Sequence, residues 1–276
     1  MPQYRSNRAS RSKGQFVSSV GIDSKLIDLH CHLLPGLDDG AIDDETAIAM
    51  ARLAVDDGIV TTACTPHMMP GVYNNVGSEV VDSVEQLSVI LADANVPLML
   101  VPGADVHVDP GLISGLRAGR VLTLAGSRYF LLEPPHHTAP PQLSRFCFDV
   151  MTAGYVPILT HPERLAWIEN GYDLIQQLAR SGVLMQLTGG SLLGHFGRRA
   201  QYWSERMLDE ELVDLIASDG HDCRRRPPVL SAARDAVATR CGIATANRLV
   251  ASNPLSILEN VLPSELRRKD AWGRGA

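Results

Sequence analysis

The 276-residue chain has only five cysteines, Cys31, Cys64, Cys147, Cys223 and Cys241. They are scattered, odd in number and never spaced C-x-x-C, which argues against a disulfide framework and a structural zinc knuckle and for a reducing, cytoplasmic setting. None is followed six residues later by arginine, so the C-x5-R loop of cysteine-based phosphatases is absent. No run of 18 apolar residues occurs, which excludes a membrane-spanning helix. The net charge of −6 supplies no basic field for nucleic acid. A glycine-rich dinucleotide fingerprint is also lacking. Residues 1–24 have no apolar centre and are rich in Arg, Ser and Gln, so they read as a disordered arm rather than a secretory signal.

What remains is an α/β pattern. Apolar runs of strand length fall at 26–30, 59–65, 98–104, 129–133, 156–160, 183–187 and 215–218. Several are almost continuously apolar, as strands buried on both faces of a parallel sheet are. Helical segments separate them, at 43–57, 77–94, 142–152, 172–181 and 200–210, with two more at 230–240 and 244–251 after Pro227-Pro228. Seven βα units without a break in composition predict a single distorted (β/α)7 TIM-like barrel over residues 25–265, followed by a polar tail at 266–276. In such a barrel the loops after the strands form the catalytic face.

The ends of these strands carry the chemistry. The first ends in His30-Cys31-His32, two imidazoles two residues apart and therefore on one face. Asp38 and Asp39 follow in the loop Pro35–Gly40. The later strands end in His67, Asp105, Glu133, His161 and the Asp219-Gly220-His221 pair, which repeats the opening geometry. Only the sixth lacks a ligand type, ending in Gln186, Thr188 and two glycines. His67 or His161 alone could be a satisfied structural histidine, Asp39 alone a helix cap, and Asp105 or Glu133 alone the partner of an arginine. A separate excuse at six strand ends is not tenable.

Nine such groups exceed what one zinc takes. A mixed imidazole and carboxylate set suits two or three borderline divalent ions, Mn²⁺, Fe²⁺ or Zn²⁺, which polarise phosphoryl oxygens and generate hydroxide near neutral pH. Arg164, three residues after His161, and one of Arg224-Arg225-Arg226 stand where a phosphate would need cations. His67 or the His136-His137 loop could act as general acid, and Met68, Met69 and Trp167 could form an apolar lip. His136, His137, His107 and His195 are read as non-ligating.

The segments Ile27–Gly40, Thr65-Pro66-His67, Gly126–Tyr129, His161-Pro162-Glu163-Arg164, Ser191–Gly197, Ala217–His221 and Arg226-Pro227-Pro228 together resemble the PHP (polymerase and histidinol phosphatase) superfamily. The branch resembled is that of metal-dependent tyrosine phosphatases of capsule and exopolysaccharide loci, the CpsB type. The resemblance implies the PHP barrel with a trinuclear, usually manganese-dependent centre. Its ligands would be His30, His32, Asp39, His67, Asp105, Glu133, His161, Asp219 and His221, with Arg164 and Arg226 on the phosphate. Asp105 departs from the family's usual Glu. The implied substrate is a tyrosine-phosphorylated protein, a tyrosine autokinase of polysaccharide export. Two other enzymes share features of this pattern: a histidinol phosphatase of the same superfamily, and a metal-dependent amidohydrolase, which would add a strand-end lysine that is missing here. A catalytically silent binding module would leave the metal set without purpose.

Overall fold

The computed structural model describes residues 25–268; the expected arm at 1–24 and residues 269–276 of the expected tail lie outside the described residues. Ten strands form among the described residues: β1 (Leu26–Cys31), β2 (Ile59–Cys64), β3 (His67–Met69), β4 (Tyr73–Asn74), β5 (Met99–Pro102), β6 (Asp105–His107), β7 (Tyr129–Glu133), β8 (Val156–Thr160), β9 (Leu184–Thr188) and β10 (Leu215–Ala217). They pair as two sheets, β1-β2-β5 and β10-β9-β8-β7-β6-β3-β4, parallel except for the β3–β4 hairpin.

Two expected strands are thus each divided. The run 59–65 breaks at Thr65-Pro66, because proline has no N–H to donate to the ladder, and resumes as β3. The run 98–104 breaks at Gly103-Ala104 and resumes as β6. Each resumed strand pairs in the second sheet, where His67 lies in register with Asp105. An isolated bridge, Cys31 to Gly220, ties β1 to the turn after β10, with His32 N donating to Gly220 O at 2.8 Å and Asp219 N to His30 O at 2.8 Å. The parallel α/β architecture stands, but the pairing is two bridged sheets rather than one closed ladder.

Strand residues alternate between two apolar cores, as the period of two requires. Tyr129, Leu131, Ile158, Leu184 and Leu215 pack in a smaller cluster closed by Ile257, Leu258 and Leu266. Their neighbours Phe130, Leu132, Leu159, Met185 and Ile216 pack outward under the helices. Phe130 is fully buried, so Phe130→Ala would cost about 3–5 kcal/mol. The alternation slips in β1. Leu29 faces the smaller cluster and Cys31 the larger, across a register irregularity between Asp28 and Cys31. That slip turns His30 and His32 to the inner face.

Most helices follow their sequence signals. Asp44–Asp56 starts at Asp43, whose Oδ1 accepts from Thr46 N at 2.8 Å. Ile168–Ser181 begins four residues before the expected start. The short helix Leu112–Arg117 has no periodic signature and was not anticipated.

Candidate metal centre

All nine expected donors meet at the strand ends. His30, His32, Asp105, Glu133, His161, Asp219 and His221 are buried, while His67 lies at the rim and the Asp39 side chain is about half exposed. Five groupings of ligand atoms account for them: His32, Asp39, His67 and His221; His30, His32 and Asp219; His30, Asp105 and His161; His67, His107 and Glu133; and Glu133, His136 and His161. His30 Nε2 is 3.1 Å from His32 Nε2, 3.4 Å from Asp219 Oδ1 and 3.5 Å from Asp105 Oδ2. Asp39 Oδ1 is 3.5 Å from both His67 Nε2 and His221 Nε2. His67 Nδ1 is 3.4 Å from Asp105 Oδ2 and from Glu133 Oε2.

These spacings match donors around a shared ion, since bonds of about 2.1 Å place neighbouring ligand atoms roughly 3.0–3.4 Å apart. Both carboxylate oxygens of Asp105, Nδ1 of His67 and Nε2 of His221 are buried without a hydrogen-bond partner. Leaving such atoms unmade is expensive unless something binds them. The residues fit a metal-binding centre.

The electrostatics favour cations. Burial works against ionisation of Asp105 and Asp219, yet facing histidines, joined at Asp219 by Arg164 and Arg226, hold both well below the usual carboxylate range. Burial and Asp105 oppose charge on Glu133, but His107, His136 and His161 bring it down to about 2. Burial lowers His30, and Asp105 and Asp219 outweigh it to raise the imidazole to about 9. His32 is lowered to about 4 by burial and by His221.

The fold aims these side chains through its loops. Asp38, adjacent to the expected ligand Asp39, accepts from Gly40 N at 2.9 Å and from His67 N at 2.9 Å. A Cβ at Gly40 would sit 2.1 Å from His32 O, so the loop folds flat against β1 only because that residue is glycine. His161 (φ 33°) and Asp219 (φ 54°) are both left-handed, a strained backbone of the kind found where a side chain must be delivered to a site. Asp28 Oδ1 accepts from Ser218 N at 3.0 Å, pinning the β10 turn to β1.

Arg164 and Arg226 converge on Asp219 Oδ2, Arg226 at 2.6 Å. The guanidinium carbon of Arg164 lies 4.4 Å from the Phe196 ring centroid and that of Arg226 6.0 Å from it. Two histidines read as non-ligating stand within the donor set: His107 Nε2 is 2.6 Å from Glu133 Oε2, and His136 Nε2 is 3.2 Å from Glu133 Oε1. His107 follows Asp105 by two on β6, the same one-face spacing as His30 and His32. His137 and His195 join none of the groupings among the described residues. Trp167 donates its indole N–H to Pro135 O at 2.9 Å, and Met68 is buried in the larger core. Gln186, on the strand that lacks a ligand type, places Oε1 2.9 Å from His30 Nδ1.

Residues 26–259 match the family model described as capsular polysaccharide synthesis, CpsB/CapC. The chain is 36% identical over 201 residues to the tyrosine-protein phosphatase YwqE of Bacillus subtilis, covering 73% of this chain and 79% of that one. It is 26% identical over 242 residues to the tyrosine-protein phosphatase CpsB of Streptococcus pneumoniae, covering 86% of this chain and all of the relative. A solved structure from work on YwqE and CpsB, described as unique metal-dependent tyrosine phosphatases, superposes with a TM-score of 0.82 at 33% identity, covering 85% of this chain and 95% of that one.

Proposed function

The chain belongs to the CpsB/CapC family of capsular polysaccharide synthesis, and from that premise we propose that it is a metal-dependent phosphotyrosine-protein phosphatase. The observation that carries this reading is the pairing of nine convergent donors, several with orphaned buried atoms, with two arginines held at their edge. His30, His32, Asp39, His67, Asp105, Glu133, His161, Asp219 and His221 would hold two or three divalent ions. The mixed imidazole and carboxylate set favours Mn²⁺, with Fe²⁺ or Zn²⁺ as alternatives. Such ions, when bound, supply Lewis-acid polarisation of the phosphoryl oxygens and a nucleophile from water at neutral pH.

The chain's own residues do the rest. Arg164 and Arg226 reach the same carboxylate oxygen of Asp219, so their remaining N–H groups are oriented to hold the equatorial phosphoryl oxygens as charge develops. The departing phenol has an unperturbed pKa near about 10 and leaves more readily than an alkoxide. His136, in the loop beyond Glu133, would be the imidazole that holds a proton near the leaving oxygen. The inner and outer alternation of strand residues and the Cys31–Gly220 bridge support reading the two sheets as one distorted barrel.

The natural substrate we assign is a tyrosine-phosphorylated protein, a tyrosine autokinase of polysaccharide export, because the relatives are named tyrosine phosphatases in a capsule-synthesis family. Five free cysteines support a cytoplasmic setting, and no described helix is long and apolar enough to cross a membrane. The test is a substrate panel: protein stripped of metal and reloaded with Mn²⁺, assayed on a phosphotyrosine peptide, a phosphoserine peptide and histidinol phosphate. The reading expects turnover of the first well above the others. Equal rates, or a preference for histidinol phosphate, would overturn it.

A further inference from the structure

The centre is unevenly furnished. Its cations, Arg164 and Arg226, both attach to Asp219. A cavity of about 380 Å³ borders it elsewhere, walled by Met68, Met69, Tyr73, Val106, His107 and Leu112. His107 and Asp219 share none of the donor groupings; His107 belongs with His67 and Glu133. Tyr73 stands between cavity and centre, its ring stacked on that of His67 at 5.5 Å and 15°. A phosphoryl group clasped by the arginines thus has its ester substituent free to lie toward this cavity.

We propose that the cavity receives the aryl ring of the scissile phosphotyrosine and that Tyr73 and Met69 are specificity-determining residues for an aromatic leaving group. The inference rests on the phosphatase reading above. The apolar part of the lining suits a flat ring, and Asn74, Asn75, Asp109 and Arg120 supply its polar part. Thioether sulfur at Met68 and Met69 makes favourable contacts with aromatic edges, Tyr73 offers a stacking face, and Val106 and Leu112 are buried apolar walls. Phosphotyrosine places a whole ring between the ester oxygen and its backbone. Phosphoserine places one methylene there and leaves the cavity unfilled, so the same apolar volume selects one ester over the other.

Filling the cavity from its rim tests this. Ser114 is exposed on the helix Leu112–Arg117, Val76 is 37% exposed, and both line the cavity without belonging to the donor set. Ser114→Trp and Val76→Trp are made separately and loaded with Mn²⁺. Four quantities are measured beside wild type: KM for a phosphotyrosine peptide, KM for a phosphoserine peptide, the inhibition constant of inorganic phosphate, and bound Mn²⁺ per chain. We expect KM for the phosphotyrosine peptide to rise tenfold or more, with the other three within twofold of wild type. Unchanged phosphotyrosine KM in both variants at wild-type Mn²⁺ content would overturn the proposal. So would a parallel weakening of phosphate inhibition, which would mean that the anion site rather than an aryl site had been disturbed. A wild-type enzyme inactive on the phosphotyrosine peptide would refute the phosphatase reading itself, before any variant is compared.

Discussion

Asp38 holds His32 by its far nitrogen: Oδ2 lies 2.6 Å from Nδ1, leaving Nε2 turned into the donor cluster 3.1 Å from His30 Nε2. A carboxylate in that position fixes the imidazole's tautomer and ring orientation. Its second contact, from His67 N at 2.9 Å, ties the rim histidine to the same anchor. One side chain outside the donor set therefore sets the geometry of two inside it. Asp38→Asn is expected to weaken Mn²⁺ binding about 10–100-fold, read by calorimetric titration of the metal-free protein. Wild-type affinity would show that His32 needs no such anchor.

Phe196 offers its ring to Arg164 at 4.4 Å, a cation–π contact worth about 0.5–2 kcal/mol at a partly desolvated site. Phe196→Leu removes the ring and leaves the arginine less constrained beside Asp219. KM for phosphotyrosine peptide should rise about 3–10-fold, the equivalent of about 0.7–1.4 kcal/mol, with Mn²⁺ content unchanged. Phe196→Tyr, which keeps the aromatic face, should restore it.

Asp57 links two helices at some distance from the centre. It follows Asp44–Asp56 and accepts from Leu230 N at 2.5 Å and Ser231 N at 2.8 Å, with Ser231 Oγ also donating to it. It serves as the N-terminal cap of Ser231–Cys241, whose N-cap residue Leu230 makes no side-chain cap bond of its own. Asp57→Ala should lower stability by about 1–2 kcal/mol, seen as a lower urea midpoint, while phosphate release per folded molecule stays at the wild-type level.

Removal of metal should cost stability as well as activity. Four carboxylates, Asp39, Asp105, Glu133 and Asp219, are held below their ordinary pKa, and ions that bind only the folded chain stabilise it by mass action. Treatment with a chelator should lower the melting temperature, and excess Mn²⁺ should restore it. A melting temperature indifferent to chelation would mean that these residues satisfy one another without ions.

Much of this site was legible because parallel strands deliver their C-terminal residues to one edge. Reading His30, His67, Asp105, Glu133, His161 and Asp219 as strand ends was enough to bring them together, although two of the strands are broken at Pro66 and at Gly103-Ala104. Less legible were groups whose roles depend on a partner far away in sequence. Gln186 was set aside for lacking a ligating side chain, yet it meets His30 across 156 residues. Phe196 shows no chemistry in the sequence, and only the packing of Arg164 on its ring gives it a role. His136 was discounted as a loop histidine because loop position alone does not show that Glu133 waits three residues back. His107 carries a usable signal, the i, i+2 spacing from Asp105, for its place beside Glu133. The expectation of a distorted barrel rests on βα alternation, which counts strands but does not show where ladders stop.

The central claim is that convergent imidazoles and carboxylates hold ions that make phosphotyrosine hydrolysis possible. Phosphate released from a phosphotyrosine peptide should be measured for Mn²⁺-loaded wild type and for the His30→Ala, His32→Ala double variant, with bound metal determined on the same samples. The account predicts that the variant loses bound Mn²⁺ and that its rate falls at least a thousandfold, well beyond the loss expected for a single hydrogen bond. Retention of the wild-type rate by the double variant would contradict it.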